Sequence, residues 1–551
     1  MPYLPFNPYV PGDPYSYDLK WLADHIMRLE RTVYALDDTN IGDYTTPEEY
    51  GAKGDGVTDD TEAFQKAINS GKSLVLLTKT YLVNNNKNAI PVTDGTDSSR
   101  GALIIDHPIT IMGRPGSLIK GYNDNDASSD IKYVFCVQSE HVRISGITID
   151  NQWTGLPDSG YHRGYGIQAN ASFLTVEGCS FYNHGSSALV INGLIGSRIH
   201  DISVSHLYCE NMGNTIFACW ADDLDFSDIY IKNASEGFDF DKQCKNVNIN
   251  NITVDTKRGS GADAALEINS GINFNIANVN ITNFVDGILV NGKKYNGVKY
   301  FSEDINIKNV NMDNIDGYGV VCGNAIAGEI EIFNLMLSNV FINDATYHAM
   351  HLRGENVIVN GAILTNCRYG AILIDTADKS NGITLANIHS QGNLKGFIEC
   401  RADVKKLTLL NINDDESANT STINLIDNQT ELIINNMNVY GCADLATLNG
   451  RIYTIKATLA IIDNMITEML GNAFIGFSDS TERVISNSRL AVSANQTLTN
   501  PSVYMIEGAT PQTSRIWNAG DIVVGSTGDV FLCDTGNVGG GTAVFKQFTL
   551  V

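Results

Sequence analysis

The sequence predicts an all-β solenoid in which short strands stack as successive coils. Pentads ending in a polar or charged residue recur through its middle: Gly166–Asn170, Ala188–Asn192, Gly237–Asp241, Ala265–Asn269, Gly287–Asn291, Ala349–Arg353, Ala371–Asp375 and Phe397–Arg401. Several starts lie 22 residues apart (166 to 188, 265 to 287, 349 to 371), and such a period indicates stacked supersecondary units. Because apolar residues alternate within each pentad, the units are strands. We expect function on their outward-facing side chains.

Composition agrees with this fold class. The chain has 551 residues, of which 50 are Gly, and 43% are hydrophobic; a solenoid grows to this length without a larger core, and Gly suits its corners. A formal net charge of −25 argues against nucleic acid or an anionic membrane as partner. The 10 Cys are scattered, which indicates small core residues in a protein assembled in a reducing cytoplasm.

The first residues show no secretory signal, and no apolar run in the chain approaches the length of a transmembrane helix. Residues 1–16 are rich in Pro and Tyr, which suits an extended docking peptide. A 3-4-3-4-3 apolar spacing then predicts a helix with a short heptad seam, formed by Leu19, Leu22, Ile26, Leu29, Val33 and Leu36. A single helix packed on the solenoid would show the same pattern.

A Gly-rich turn and a short helix follow. Asp59 and Glu62 have capping-box spacing, and Phe64, Ala67 and Ile68 form an apolar stripe. Such a helix would cover the open end of a solenoid.

The segment Tyr50-Gly-Ala-Lys-Gly-Asp-Gly-Val-Thr-Asp-Asp-Thr, continuing through Ala63-Phe64 to Ala67-Ile68, resembles the entry motif of the pectate-lyase-like superfamily. The resemblance implies a right-handed, single-stranded parallel β-helix over residues 44–495. It also implies handling of a glycan, while the reaction type varies within that superfamily.

Both ends resemble parts of phage tail appendages. Asn7–Leu19 resembles a virion-attachment segment, so residues 1–43 are predicted to bind a phage tail or neck protein. Residues 496–551, with Ile516–Val524 and Val530–Cys533, resemble a small β-module that ends many tailspikes. Ala543 and Val544 stand where that module usually has Trp. Tailspikes of this kind are homotrimers, so the resemblance implies a homotrimer.

Three carboxylates are the candidate catalytic residues: Asp239, Asp241 and Glu267. If Phe238 and Phe240 point inward, Asp239 and Asp241 point outward, and Glu267 lies beside Asp239 on the next coil. Crowded carboxylates raise one another's pKa, so that one stays protonated while another is ionised, as glycoside hydrolysis requires. The arrangement resembles the clustered Asp residues of polygalacturonase-type β-helices, although the Gly-His-Gly and Arg-x-Lys elements are absent. A solvated acidic ladder, or a Ca²⁺ site, is the alternative.

The candidate substrate-binding residues surround this cluster: Trp220, Asp222, Asn269, Tyr161, His162 and Arg163. Trp220 would stack on a sugar ring, or it covers the shoulder of the solenoid. A later polar column (His351, Arg353, Asp375, Glu399 and Arg401) fits an ion-pair ladder better than a site.

These observations predict a phage tailspike, made in the host cytoplasm and carried on the virion. It would bind a bacterial surface polysaccharide and cut it by endo-glycoside hydrolysis, without a required cofactor. Two alternatives remain open at this point: a polysaccharide lyase on the same scaffold, and a spike that binds glycan without cutting it.

Overall fold

The structure is a computed structural model. It describes residues 43–85, 88–90, 99–121, 131–152, 164–256, 264–323, 331–374, 380–394, 397–400, 404–415, 423–425, 429–442, 453–455, 457–469, 475–477, 482–486, 503–505, 522–524, 530–535 and 543–548. The predicted attachment peptide and heptad helix, apart from residue 43, lie outside these residues. So do Tyr161, His162, Arg163, Asp375 and Arg401.

Contacts divide the chain into two units. The first unit comprises residues 1–194, 199–213 and 225–230, and the second comprises 195–198, 214–224 and 231–551. The chain is mostly β and has a long parallel sheet, as predicted.

The first unit contains an α-helix, Thr61–Ile68, and a 3-10 helix, Pro47–Tyr50. Phe64, Ala67 and Ile68 are buried, as the apolar stripe predicts. The predicted capping box is not formed, because the N-cap is Asp60 rather than Asp59. The Asp60 carboxylate instead accepts hydrogen bonds from the backbone N–H groups of Lys53 and Gly54, at 2.6 and 3.0 Å.

The strands of the first unit pair mainly in parallel. They are Tyr44–Thr45, Asp55–Asp59, Leu74–Leu77, Thr80–Val83, Asn88–Ile90, Ser99–Ile105, Thr110–Gly113, Leu118–Gly121, Ile131–Val137, Val142–Ser145, Thr148–Asp150, Tyr165–Ala169, Leu174–Glu177, Ser180–His184 and Leu189–Asn192. Two long strands, Ile199–Cys219 and Ala221–Asp241, contain residues of each unit.

The second unit continues with long and short strands in alternation. They are Lys245–Asp255, Ala264–Asn269, Ile272–Thr282, Asp286–Asn291, Ser302–Ile315, Val320–Cys322, Ile332–Ala345, His348–His351, Glu355–Thr365, Gly370–Ile374, Asn381–Gln391, Ile398–Cys400, Lys406–Asp415, Ile423–Leu425, Gln429–Cys442, Tyr453–Ile455, Ala457–Met469, Ile475–Phe477 and Glu482–Ser486. All of these pair in parallel with the corresponding strand of an adjacent coil.

Five short strands of the second unit coincide with predicted pentads: Ala264–Asn269, Asp286–Asn291, His348–His351, Gly370–Ile374 and Ile398–Cys400. Four described short strands of these coils have no predicted pentad: Val320–Cys322, Ile423–Leu425, Tyr453–Ile455 and Ile475–Phe477. Val320–Cys322 pairs with the strands before and after it. Its side chains Val320, Val321 and Cys322 lack the terminal polar residue by which the pentads were identified. This missing coil explains the wide gap between the pentads that start at 287 and 349.

Asparagine side chains join successive coils at their corners. Asn278 Nδ2 donates to Asn250 Oδ1 at 2.7 Å, Asn309 to Asn278 at 3.1 Å, and Asn339 to Asn309 at 3.2 Å. Asn278, Asn309 and Asn339 have φ values of 58°, 54° and 53°. Asn tolerates this left-handed conformation, and its amide then bonds to the coil before it. The Asn residues that recur in the sequence therefore form the corners and connect successive coils by hydrogen bonds.

Two smaller sheets complete the described structure. Lys293–Tyr295 and Val298–Tyr300 form an antiparallel hairpin. The strands Val503–Met505, Ile522–Val524, Val530–Thr535 and Val544–Phe548 form a separate four-stranded sheet. The predicted domain boundaries at 43/44 and 495/496 stay predictions. The nine cysteines whose side chains are described are buried and free of disulfides.

We expect Asn309→Ala to destabilise the chain more than Asn309→Gly. Both substitutions remove the two amide hydrogen bonds, but only Ala is strained at a φ of 54°. The two variants should differ by about 1 kcal/mol in the free energy of unfolding. The check is a comparison of their thermal midpoints at one scan rate, in which the Ala variant should have the lower midpoint. Equal midpoints, or a lower one for Gly, would show that the left-handed backbone does not limit this corner.

Candidate active site

The predicted carboxylate cluster forms on the outward face of adjacent parallel strands. Phe238 pairs with Leu266, Asp239 with Glu267, and Phe240 with Ile268. Phe238 and Phe240 are fully buried, so the side chains between them point outward. The predicted stacking of Glu267 beside Asp239 is therefore present in the register of the sheet.

Asp239 is the carboxyl group most strongly affected by its surroundings. Burial, followed by the neighbouring carboxylates of Glu267, Glu236 and Asp241, raises its pKa to about 9, and Lys293 opposes this rise. Its Oδ1 is shielded from solvent and has no hydrogen-bond partner within the described part of the chain. Asp239 is thus protonated at neutral pH, and can act as a proton donor.

Asp241 differs from Asp239 because it has a cationic partner. Lys293 Nζ lies 2.6 Å from Asp241 Oδ1, and Lys242 Nζ lies 4.0 Å from Oδ2. Asp241 is itself buried. The Lys293 ammonium group therefore places a positive charge directly against the Asp241 carboxylate. The two Asp residues of one strand therefore have different environments, and their assignment as catalytic acid and base stays a prediction.

Sequence reasoning missed Lys293. It lies at the start of the hairpin, where it pairs with Tyr300, and the turn residues Asn296 and Gly297 have φ values of 48° and 80°. An Asn-Gly pair between β runs is a strong hairpin signal, and it could have identified this insertion. The sequence does not show that the hairpin would bring Lys293 to Asp241.

Glu267 is oriented by an amide neighbour on its own strand. Asn269 Nδ2 donates to Glu267 Oε1 at 2.6 Å, and Asn291 Nδ2 donates to Asn269 Oδ1 at 3.5 Å. Asn269 is 4% exposed. The Asn269 amide thus hydrogen-bonds to a carboxylate of the cluster. The predicted contact of Asn269 with substrate stays a prediction.

Trp220 lies near the cluster but is not an open platform. It is 4% exposed, and its ring meets Tyr295 and Tyr300 edge-on, at centroid distances of 6.0 and 5.3 Å. Arg198 lies 5.8 Å from the same ring centroid. This position fits the alternative interpretation, in which Trp220 covers the shoulder of the solenoid. The partly exposed Tyr295 and Tyr300 stand between it and solvent.

Asp222 is held by an arginine. Arg198 Nε and Nη2 donate to its two carboxylate oxygens at 2.6 Å each, and Arg198 Nη2 also donates to the carbonyl oxygen of Gln243 at 2.6 Å. Such a bidentate pair fixes the strand end beside Trp220. The substrate-binding roles of Trp220, Asp222, Tyr161, His162 and Arg163 stay predictions.

Within the described residues, no group of three or more His, Cys, Asp or Glu side chains is arranged to hold a metal ion. The Ca²⁺ alternative for the carboxylate cluster stays a prediction. No described helix has the length and apolar character needed to cross a membrane.

Comparisons with known proteins identify similar phage proteins. No protein-family model matches the chain. A capsule K30/K69-specific depolymerase of Klebsiella phage K5-2 is 27% identical over 213 residues, which are 37% of this chain and 24% of the relative. A capsule K30/K69-specific depolymerase of Klebsiella phage K64-1 is 32% identical over 161 residues, 28% of this chain and 19% of the relative. The matched segments span about a quarter or less of these relatives' length.

Solved structures with a similar backbone include phage proteins. The pre-mature gene product 12 of bacteriophage phi29 has a TM-score of 0.47 and 14% identity, over 86% of this chain and 69% of that one. The tailspike of E. coli bacteriophage HK620 in complex with a pentasaccharide has a TM-score of 0.42 and 11% identity, over 88% and 78%. The predicted resemblance to phage depolymerases is confirmed by the curated relatives, over the matched parts of the chain.

We expect Asp239→Asn to stabilise the chain at alkaline pH. A carboxyl group whose folded pKa is about 9, against an ordinary value of 3.8, binds its proton more tightly in the folded state. The free energy of unfolding therefore falls as pH rises from about 4 to about 9. The Asn variant lacks this loss, so near pH 8 its thermal midpoint should exceed that of wild type by about 1–3 °C.

The control is Glu303→Gln, which removes an exposed carboxylate of the same unit. Its midpoint should follow wild type across the pH range. An Asp239→Asn variant that is no more stable than wild type at pH 8 would contradict the burial of a proton-binding carboxyl group here.

Proposed function

We propose that this chain is a phage tailspike that depolymerises a bacterial capsular polysaccharide by endo-glycoside hydrolysis. One observation carries the proposal: a buried Asp239, whose pKa is raised to about 9, and an ion-paired Asp241 lie on one strand, with Glu267 beside Asp239 on the next strand. The curated relatives, which are named as capsule depolymerases, support the substrate class. Because the matched segments are a small part of those relatives, the capsule type they act on is not carried over.

In the proposed reaction, Asp239 donates its proton to the glycosidic oxygen as the bond from that oxygen to the anomeric carbon breaks. Asp241 takes a proton from a water molecule, whose oxygen forms the new bond to the anomeric carbon. Residues i and i+2 of a strand lie roughly 6.5 Å apart, and carboxylates at about 6.5–9.5 Å suit inversion. Glu267, oriented by Asn269, raises the pKa of Asp239 and lies where positive charge develops on the sugar.

The remaining parts of the proposal concern assembly. We infer a right-handed β-helix that forms a homotrimer and is carried on the virion tail, with residues 1–43 attaching it to a tail or neck protein. The entry motif after Tyr50, the terminal segments and the similarity to phage depolymerases support this inference.

We expect wild type to shorten one member of a panel of purified capsular polysaccharides, which includes Klebsiella types K30 and K69 because the relatives are named for them. The fragments should be saturated. Asp239→Asn and Asp241→Asn should each reduce the rate by about 10²–10⁴-fold, as expected for loss of a general acid or base. Fragment sizing, together with ultraviolet absorbance for a C=C bond, measures both properties.

Glu303→Gln serves as the control and should cut at the wild-type rate. Unsaturated fragments would assign the chain to the lyases and direct attention to its His, Tyr and Arg side chains. A polymer that is bound and remains intact would make the chain a binding spike. Full activity in both Asp variants would refute the assignment of the carboxylates.

Lys293→Met should move the alkaline limb of kcat/KM to higher pH. In wild type this limb reports loss of the Asp239 proton, near pH 9. The Lys293 ammonium lowers the pKa of Asp239, so its removal raises that pKa further. Lys294→Met, an exposed neighbour on the same hairpin, is the control and should leave the limb in place. A limb that stays in place or moves downward in Lys293→Met would exclude Asp239 as the acid.

A further inference from the structure

The outward column that contains the carboxylates continues along the second unit. Glu267 pairs with Leu289, Leu289 with Val321, and Val321 with His351. His351 pairs with Leu373, which pairs with Glu399. His351 therefore occupies the position of Glu267 three coils later. At about 4.8 Å per parallel strand, the two positions lie roughly 14 Å apart along the sheet.

Three tyrosines form a stripe beside this later part of the column. The tyrosine stripe consists of Tyr318, Tyr347 and Tyr369, each of which stands just before a short strand. Ring centroids lie 5.2 Å apart for Tyr318 and Tyr347, and 5.5 Å apart for Tyr347 and Tyr369. Tyr347 is 44% exposed and Tyr369 is 39% exposed. These rings give the coil surface a continuous apolar band open to solvent.

Polar side chains accompany the stripe. His348 Nε2 lies 3.6 Å from Glu399 Oε2, while His348 Nδ1 is buried and has no hydrogen-bond partner among the residues described. The imidazole of His351 packs against Tyr318 at 5.3 Å. His348 is 5% exposed, so its position is fixed by packing. An apolar band next to buried imidazole groups and the partly exposed Glu399 carboxylate combines the features that bind sugar rings and sugar hydroxyls.

We propose that the tyrosine stripe, with His348 and Glu399, is a second saccharide-binding subsite for the same glycan chain that is cut at Asp239. This proposal rests on the function proposed above. A polymer lying along the column would contact both places, because they share one face of one unit. The sequence analysis had interpreted this column as an ion-pair ladder. The exposed tyrosines beside it favour binding, since an ion-pair ladder alone needs no uncovered rings.

The test separates binding from cutting. In an Asp239→Asn background, in which cutting is expected to be slowed by about 10²–10⁴-fold, the double variant Tyr347→Ala/Tyr369→Ala should bind the polymer about tenfold more weakly, as measured by surface plasmon resonance. The polymer used is the first capsular polysaccharide of the panel that wild type binds. In the active background, the same double variant should raise KM for the polymer. Its kcat/KM for the shortest oligosaccharide that wild type cuts should not change.

Tyr44→Ala is the matched control, because Tyr44 is 42% exposed. It should bind the polymer as the parent does. Unchanged polymer affinity in the double variant would overturn the subsite even if hydrolysis is confirmed. Loss of short-oligosaccharide cleavage would also overturn it, because the stripe would then belong to the reaction centre. If wild type binds polymer without cutting it and the double variant loses that binding, the subsite stands and the proposed hydrolysis fails.

Discussion

The in-register stacking of parallel strands is the constraint on which the rest of the structure depends. Within a strand the side chains alternate between core and solvent, so a shift of one residue would exchange the two faces. Phe238 and Phe240 fix the register of their strand because their rings are fully buried. Asp239 must then face outward, beside Glu267 of the following strand. Core packing therefore brings together carboxylates that would otherwise repel one another.

Such repulsion is the basis of the proposed chemistry. A protein that needed only stability would avoid burying one carboxyl group among three others. Here the cost is limited in two ways: Asp239 keeps its proton, and Lys293 supplies a positive charge to Asp241. The environments of the two Asp residues differ because Lys293 Nζ lies 2.6 Å from Asp241 Oδ1. Two identical side chains, two positions apart, thereby acquire different electrostatic environments.

The sequence allowed prediction of the features that follow from the repeat period and from the alternation of apolar residues. The parallel coils and the neighbouring positions of Asp239 and Glu267 follow from alternation and a repeat, which are visible in a single chain. Contacts made by irregular insertions could not be predicted in this way. Lys293 reaches Asp241 from a hairpin between two coils, and Trp220 is covered by the rings of that hairpin. The Arg198 pair with Asp222 spans 24 positions of sequence, and no periodic pattern marks it.

The repeat also explains how one face can hold both the proposed reaction centre and the proposed tyrosine-stripe subsite. Each coil places an outward side chain at the same register position of its strand. These positions therefore form a continuous column along the sheet. Leu289 and Val321 separate Glu267 from His351 in this column. Two apolar residues therefore lie between the two polar clusters. A linear polymer bound as proposed would extend across several of these coils. Substitution in one coil can change how tightly the polymer is held without changing the carboxylates three coils away, since each coil contacts mainly its neighbours.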